Sequence, residues 1–296
     1  MIRLLHIGLG KCGSTFLQEQ VFPKISKKLN INYINLYNNN FIKIDNSKIK
    51  FHAFENLQNS EALLPNNFII SHESLFSYRW EFSRIEKSFN FLKKNFSKNI
   101  TILIVIRNPY ELLNSIYCQA VQDMKIINPE NFFYHKQFEE NIRANDKFNL
   151  YNFNYDFLIS LYKSYFKKVV VIKYENLQNF SYLKEIFNVD DNFLKKINIS
   201  NKVYNKSISK FGINSILFLN KFFNLKKYDQ FIRSYVSSSS RILHKIKNRI
   251  LSEFLLRNIF QSKIDKIFPY KKYYIKKEFI PIDIDSEISK YEKLNF

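Results

Sequence analysis

Glycine is scarce in this chain: four in 296 residues, beside six prolines, two cysteines, two methionines and one tryptophan. Two cysteines, Cys12 and Cys118, cannot build a disulfide framework, which excludes a small stapled secreted scaffold and fits a reducing cytoplasm. Long apolar runs are missing as well. The longest, such as TILIVI at 101–106, fall far short of the about 20 residues that span a bilayer, so no transmembrane segment is expected. The apolar run at the N-terminus leads into Gly-Lys-Cys-Gly rather than a small-residue cleavage site, and reads as a strand instead of a signal peptide. There is no internal repeat and no Pro- or Gly-rich linker. YNNN at 37–40 and SSSS at 237–240 read as loops within one domain. Acidic residues are outnumbered, 26 against 46 lysines and arginines, for a net charge of +20. The lysines are spread rather than clustered, so the charge reports on solubility and loose association before it reports on a specific partner. It helps an anionic ligand arrive without naming one. No nucleic-acid partner is expected, and peripheral contact with an anionic membrane stays open.

What is abundant is apolar: 46% hydrophobic and 17% aromatic residues, enough for a sizeable core. Short β-branched runs at 3–9, 32–37, 68–72, 101–107 and 169–174 read as buried strands. Amphipathic stretches at 14–29, 84–96, 109–122 and 155–168 read as helices between them. Strands alternating with helices predict an α/β fold, three-layered, with a central parallel sheet. This core is expected over 1–190. The strand signal fades beyond it, and 215–223 and 242–260 look helical, so 191–296 is expected to be a mainly helical extension packed on the core.

Ligands of open parallel sheets bind beyond the carboxyl ends of the strands, and the chemistry-bearing residues cluster there. Three of the four glycines, Gly8, Gly10 and Gly13, fall within GLGKCGST at 8–15. A strand, a glycine turn and a helix starting near Ser14 place backbone N–H groups and a helix N-terminus around one point, an arrangement that binds phosphate. The glycines permit positive φ there, Lys11 adds a full charge, and Ser14 and Thr15 add hydroxyl donors. This is no Walker A loop, because Cys12 and Gly13 separate the lysine from Ser14. A Mg²⁺-dependent kinase also calls for an aspartate at a strand end, and these ends run into Ser-His-Glu, Arg-Asn-Pro and Lys-Tyr-Glu. Cys12, in an electropositive loop, is placed where a thiol pKa falls.

GLGKCGSTFLQ resembles the 5′-phosphosulfate loop of sulfotransferases that use 3′-phosphoadenosine-5′-phosphosulfate (PAPS). The resemblance implies that Lys11 steadies the leaving phosphate and that Gly10, Cys12, Gly13, Ser14, Thr15 and Phe16 line the cofactor. The family's second signature is a strand-ending arginine with a serine eight residues on, which bind the 3′-phosphate. TILIVIRNPYELLNS supplies Arg107 and Ser115. A planar cation at a strand end can fork onto phosphate oxygens, Pro109 suits a first helical turn, and Ser115 lies about one and a half turns in. VYNKSIS at 203–209 resembles a further family segment, through which Lys206 or Ser207 would reach the cofactor. KYENL at 173–177 resembles another, with Glu175 read as structural. The Arg-Lys-Gly triplet of the animal cytosolic members is absent.

Sulfuryl transfer needs a base to take the acceptor's proton. FIISHESLF offers His72 and Glu73, adjacent and on opposite sides of an extended backbone. Glu73 is favoured, because ESLF resembles the carbohydrate branch of the family, and the acceptor implied is a glycan or small molecule. Tyr78, Trp80 and Tyr134 are candidates to stack on a ring, and 38–66 and 123–150 to shape the acceptor cleft. His6, His52, His135 and His244 have no metal-ligand spacing, so no metal is expected. Two other readings stay open: a P-loop nucleotide or small-molecule kinase, and a basic anion-binding protein without catalysis.

Overall fold

A computed structural model describes residues 1–35, 41–44, 47–50, 64–77, 81–122, 127–137, 147–196, 208–223 and 267–295. Its centre is a five-stranded, wholly parallel sheet: β1 (Arg3–Ile7), β2 (Asn32–Asn35), β3 (Phe68–His72), β4 (Thr101–Ile106) and β5 (Lys168–Lys173). The strands stand in the order β2–β3–β1–β4–β5. All five are strands anticipated from the sequence. Leu4 to Ile7 in β1 and Ile102 to Ile106 in β4 are fully buried, side chains of both faces alike. Strands buried on both sides need covering layers on both sides, and their continuous apolar runs are the cause. Each such aliphatic side chain contributes about 1.5–3 kcal/mol.

The first helix, α1, runs from Ser14 in three segments, Ser14–Phe16, Leu17–Val21 and Phe22–Leu29. The middle one is a π-turn: Phe22 N–H bonds the Leu17 carbonyl, five residues back. Pro23 accounts for it. Proline has no N–H to give to Glu19, and its ring would strike that carbonyl in a regular α-helix, so the turn widens just ahead of it. Asn30, in the left-handed region at φ 51°, ends the helix. The further α-helices among the described residues are α2 (Ile85–Asn95), α3 (Pro109–Gln122), α4 (Tyr155–Lys163), α5 (Ser181–Phe187), α6 (Asp191–Lys196), α7 (Lys210–Phe223) and α8 (Ile284–Lys293). Helix α4 stops about one turn before the anticipated end, since Lys168 already belongs to β5. The helix anticipated at 242–260 lies outside the described residues.

The order of the strands positions the site. The chain leaves β1 toward β2 at one edge and leaves β4 toward β5 at the other, so the β1–β4 boundary is a topological switch point, where a crevice opens above the strand ends. Ile7 is level with Ile104, and β4 continues two residues further. Arg107 therefore stands three residues, about 10 Å at strand spacing, beyond the level at which β1 ends. Among the described residues no helix is long and apolar enough to cross a membrane.

Candidate functional site

The loop after β1 tightens at once: Cys12 N–H bonds the Leu9 carbonyl at 3.3 Å, closing a turn over Gly10 and Lys11. The residue in the left-handed region there is Lys11 itself, at φ 66°, and Gly13 follows at φ 82°; Gly8 and Gly10 do not adopt positive φ. The expectation that the glycines carry the unusual dihedrals thus holds only for Gly13. A lysine held in this region is uncommon and marks a constrained backbone. Gly8 is needed for space instead. A Cβ there would lie 2.9 Å from Ser14 Oγ and 3.2 Å from Glu73 Cγ. At Gly13 a Cβ would lie 2.4 Å from Leu177 Cδ1, so the loop is pressed between the turn after β3 and the turn after β5. Gly13 is the N-cap of α1, and Leu17 N–H bonds its carbonyl at 3.2 Å. Ser14, buried, donates to the Leu9 carbonyl at 3.3 Å. Phe16 stacks on Phe180.

Arg107 reaches this loop directly. Its Nη1 donates to the Lys11 carbonyl at 3.0 Å, Tyr174 lies under the guanidinium at 4.7 Å, and Tyr155 O–H donates to the Arg107 carbonyl at 2.7 Å. The two anchors adjoin through one hydrogen bond, because the left-handed Lys11 and the overhanging end of β4 bring them together. Helix α3 then ties both together. Glu111 Oε2 lies 3.4 Å from Arg107 Nη2, and Lys11 Nζ donates to Gln119 Oε1 at 2.5 Å. Glu111, Ser115 and Gln119 are spaced i, i+4, i+8 and share one face, so Ser115 stands between the partners of the two cations.

The backbone does not stay extended past His72. Strand β3 ends there, and Glu73 opens a 3₁₀ turn, Glu73–Leu75. Glu73 packs over Gly8 beside Ser14, as the Cβ distances show. His72 lies beside Ile7 in register, whereas His6 and Ser71 pair one position earlier and face α1. There His6 Nδ1 and Ser71 Oγ are 2.7 Å apart, and Gln18 Nε2 donates to the same hydroxyl at 3.2 Å. Burial holds the His6 imidazole far below its ordinary 6.5, at about 3, so it is neutral.

Cys12 is fully buried. Burial pushes its thiol well up, more than Arg107 lowers it, and Glu73 and Glu175 push the same way. The lowered thiol pKa expected from the loop's charge is therefore overturned: desolvation outweighs a single cation.

Several contributors had no local signal. Lys272 contacts Glu111 Oε2, and Tyr274 O–H donates to Glu111 Oε1 at 3.1 Å. Burial and then the Arg107 charge pull the Lys272 ammonium down to about 8. Tyr291 O–H donates to Glu175 Oε2 at 2.5 Å, the structural pairing anticipated for that carboxylate, and Lys173 Nζ donates to the Glu292 carbonyl at 3.3 Å. The chain from 267 to 295 thus crosses the ends of β4 and β5. These residues lie more than 100 positions from their partners, and only proximity in the fold reveals them. Lys206, Ser207, Tyr78 and Trp80 lie outside the described residues. Tyr134, at the edge of a two-residue strand pair with 148–149, is half-buried.

No family model matches the chain. Among curated proteins it is similar to Protein Ycf2 of Physcomitrium patens, at 24% identity. The matched region covers 95% of this chain and 15% of that protein, so the chain corresponds to a small part of its relative.

Proposed function

We propose that this chain is a sulfotransferase, moving a sulfuryl group from PAPS to a hydroxyl or amine of an acceptor, with a carbohydrate as the favoured acceptor class. One observation carries the reading: the Arg107 guanidinium donates to the Lys11 carbonyl at 3.0 Å, joining two motifs 96 residues apart at the switch point of the sheet. The donor set suits a ligand with two phosphate groups. Lys11, Gly13 and the start of α1 form one cluster, and Arg107, Ser115 and Lys272 form the other, along α3.

When bound, the nucleotide supplies an activated sulfuryl group and a leaving phosphate that gains negative charge. Lys11 is fixed by its strained backbone and by Gln119, so its charge is oriented before reaction rather than during it, the arrangement in which electrostatic stabilisation is strongest. Arg107 and Ser115 bind and orient the distal phosphate. Glu73, seated against Gly8 beside Ser14, takes the acceptor proton. A base so placed contributes about 10²–10⁴ in rate. His72 is the competing base. Glu73→Gln is expected to lower labelled-sulfate transfer by that factor, with His72→Asn close to wild type; the opposite order would reassign the base.

The testing experiment is calorimetry with adenosine 3′,5′-bisphosphate. Wild type is expected to show one site, and Arg107→Ala to lose it. Equal binding by both proteins, or none to either, would sink the reading. The kinase alternative draws on one observation, the acid at Gly8 beside Ser14, since a loop serine and a strand-end acid hold Mg²⁺ in kinases. ATP turnover that requires Mg²⁺ and is lost in Glu73→Gln would favour it.

A further inference from the structure

We infer that Glu111 is a specificity-determining residue of this site, an internal carboxylate that occupies Arg107 and Lys272 and yields them only to a ligand group carrying more charge than itself. The inference rests on the reading above that the site takes a phosphate-bearing ligand. One carboxylate oxygen, Oε2, meets both cations, Arg107 Nη2 at 3.4 Å and Lys272 Nζ, while Oε1 accepts from Tyr274. Two cations on one carboxylate leave a net +1, and the Arg107/Lys272 pair alone carries +2 once Glu111 has let go. A phosphate monoester, at about −1.5 to −2, compensates that charge. A singly charged ligand gains no more than Glu111 already provides, and Glu111 competes from within the same molecule at a high effective concentration.

The surroundings fit an exchange of anions rather than a permanent ion pair. The Arg107, Glu111 and Lys272 side chains keep 15%, 27% and 30% of their exposure, so a ligand can reach the contact. Glu111 lies in the first turn of α3, where the helix dipole stabilises a carboxylate even after it gives up its partners. Lys272 is not carried away when Glu111 lets go. Its segment is pinned to α3 by Ile275, whose N–H donates to Asn114 Oδ1 at 2.6 Å and whose carbonyl accepts from Tyr110 O–H at 2.5 Å.

The test titrates pyrophosphate, singly charged methyl sulfate and adenosine 3′,5′-bisphosphate into wild type, Glu111→Gln, Lys272→Gln and Lys272→Arg, by calorimetry and by NMR of the arginine side chains. Glu111→Gln is expected to bind methyl sulfate about tenfold more tightly, a change of about 1.4 kcal/mol, and to narrow the preference for pyrophosphate. Lys272→Gln is expected to bind pyrophosphate about tenfold more weakly, and Lys272→Arg to restore it. An unchanged or wider preference in Glu111→Gln overturns the inference, as does a Lys272→Gln protein that binds as wild type. Absence of anion binding in all four proteins overturns it too. The nucleotide reading fails separately, if the bisphosphate binds no better than pyrophosphate while the Glu111→Gln effect is present.

Discussion

Gly13 and His6 show two ways in which a single residue constrains this fold. Gly13 combines a φ of 82° with a Leu177 methyl 2.4 Å from the place of a Cβ. Alanine there meets strain and overlap together, and a cost of about 1–3 kcal/mol is expected for the dihedral alone. The urea midpoint of Gly13→Ala, measured beside Gly10→Ala, checks this; similar midpoints would show that the loop accommodates the change. His6 is buried neutral, with its pKa lowered from 6.5 to about 3. In that window the unfolded chain binds a proton that the folded chain does not. The stabilisation is complete above about pH 6.5 and is lost as pH falls toward 3, at about 1.4 kcal/mol per unit. Urea midpoints at pH 7 and pH 5 are expected to differ by the corresponding amount in wild type and by clearly less in His6→Gln. Equal pH differences would place the titration elsewhere. The pairing with Ser71 and Gln18 had no sequence signal, because a histidine within an apolar strand reads as core whatever its partner.

Elements divide by how locally their cause is written. The five strands were legible because each is a short apolar run between turn signals, and the glycine loop because glycine is concentrated there. Arg107 and Ser115 were singled out only through a resemblance to a family signature. Glu111 and Gln119, one helical turn to either side of Ser115, were not, since nothing on a helix face says which residue will meet a lysine from another loop. The π-turn of α1 is a compromise with Pro23 that a pattern of apolar positions does not disclose. The least legible element is the segment from 267, whose order depends on distant partners. Asn114 is its main anchor, buried and accepting from Ile275 N–H at 2.6 Å. Asn114→Ala leaves a buried donor unmet, at about 1–3 kcal/mol. Limited proteolysis is expected to cut this variant between 267 and 283 faster than wild type, with the sheet remaining intact. Global unfolding in place of local cutting would show that the segment is integral to the core.

At the scale of the whole molecule, the net charge of +20 and the proposed anion site would act on the same ligands through different physics. Diffuse surface charge attracts any polyanion, but its field is screened within about 8 Å at physiological ionic strength. The cations at the switch point are partly buried and fixed by Gln119, Glu111 and the Lys11 carbonyl, so salt screens them less. The two contributions are therefore separable by ionic strength. Binding to heparin or mixed-sequence DNA is expected to fall by orders of magnitude between 50 mM and 500 mM NaCl, because each neutralised phosphate releases a counterion. Binding of adenosine 3′,5′-bisphosphate, with only two phosphate groups, is expected to fall by about tenfold and to retain its dependence on Arg107. Fluorescence titrations across that range decide between them. If both ligands weaken along the same slope, and Arg107→Ala leaves the slope and the affinity unchanged, the basic surface alone accounts for anion binding, and the cluster at the strand ends is a structural ion-pair network.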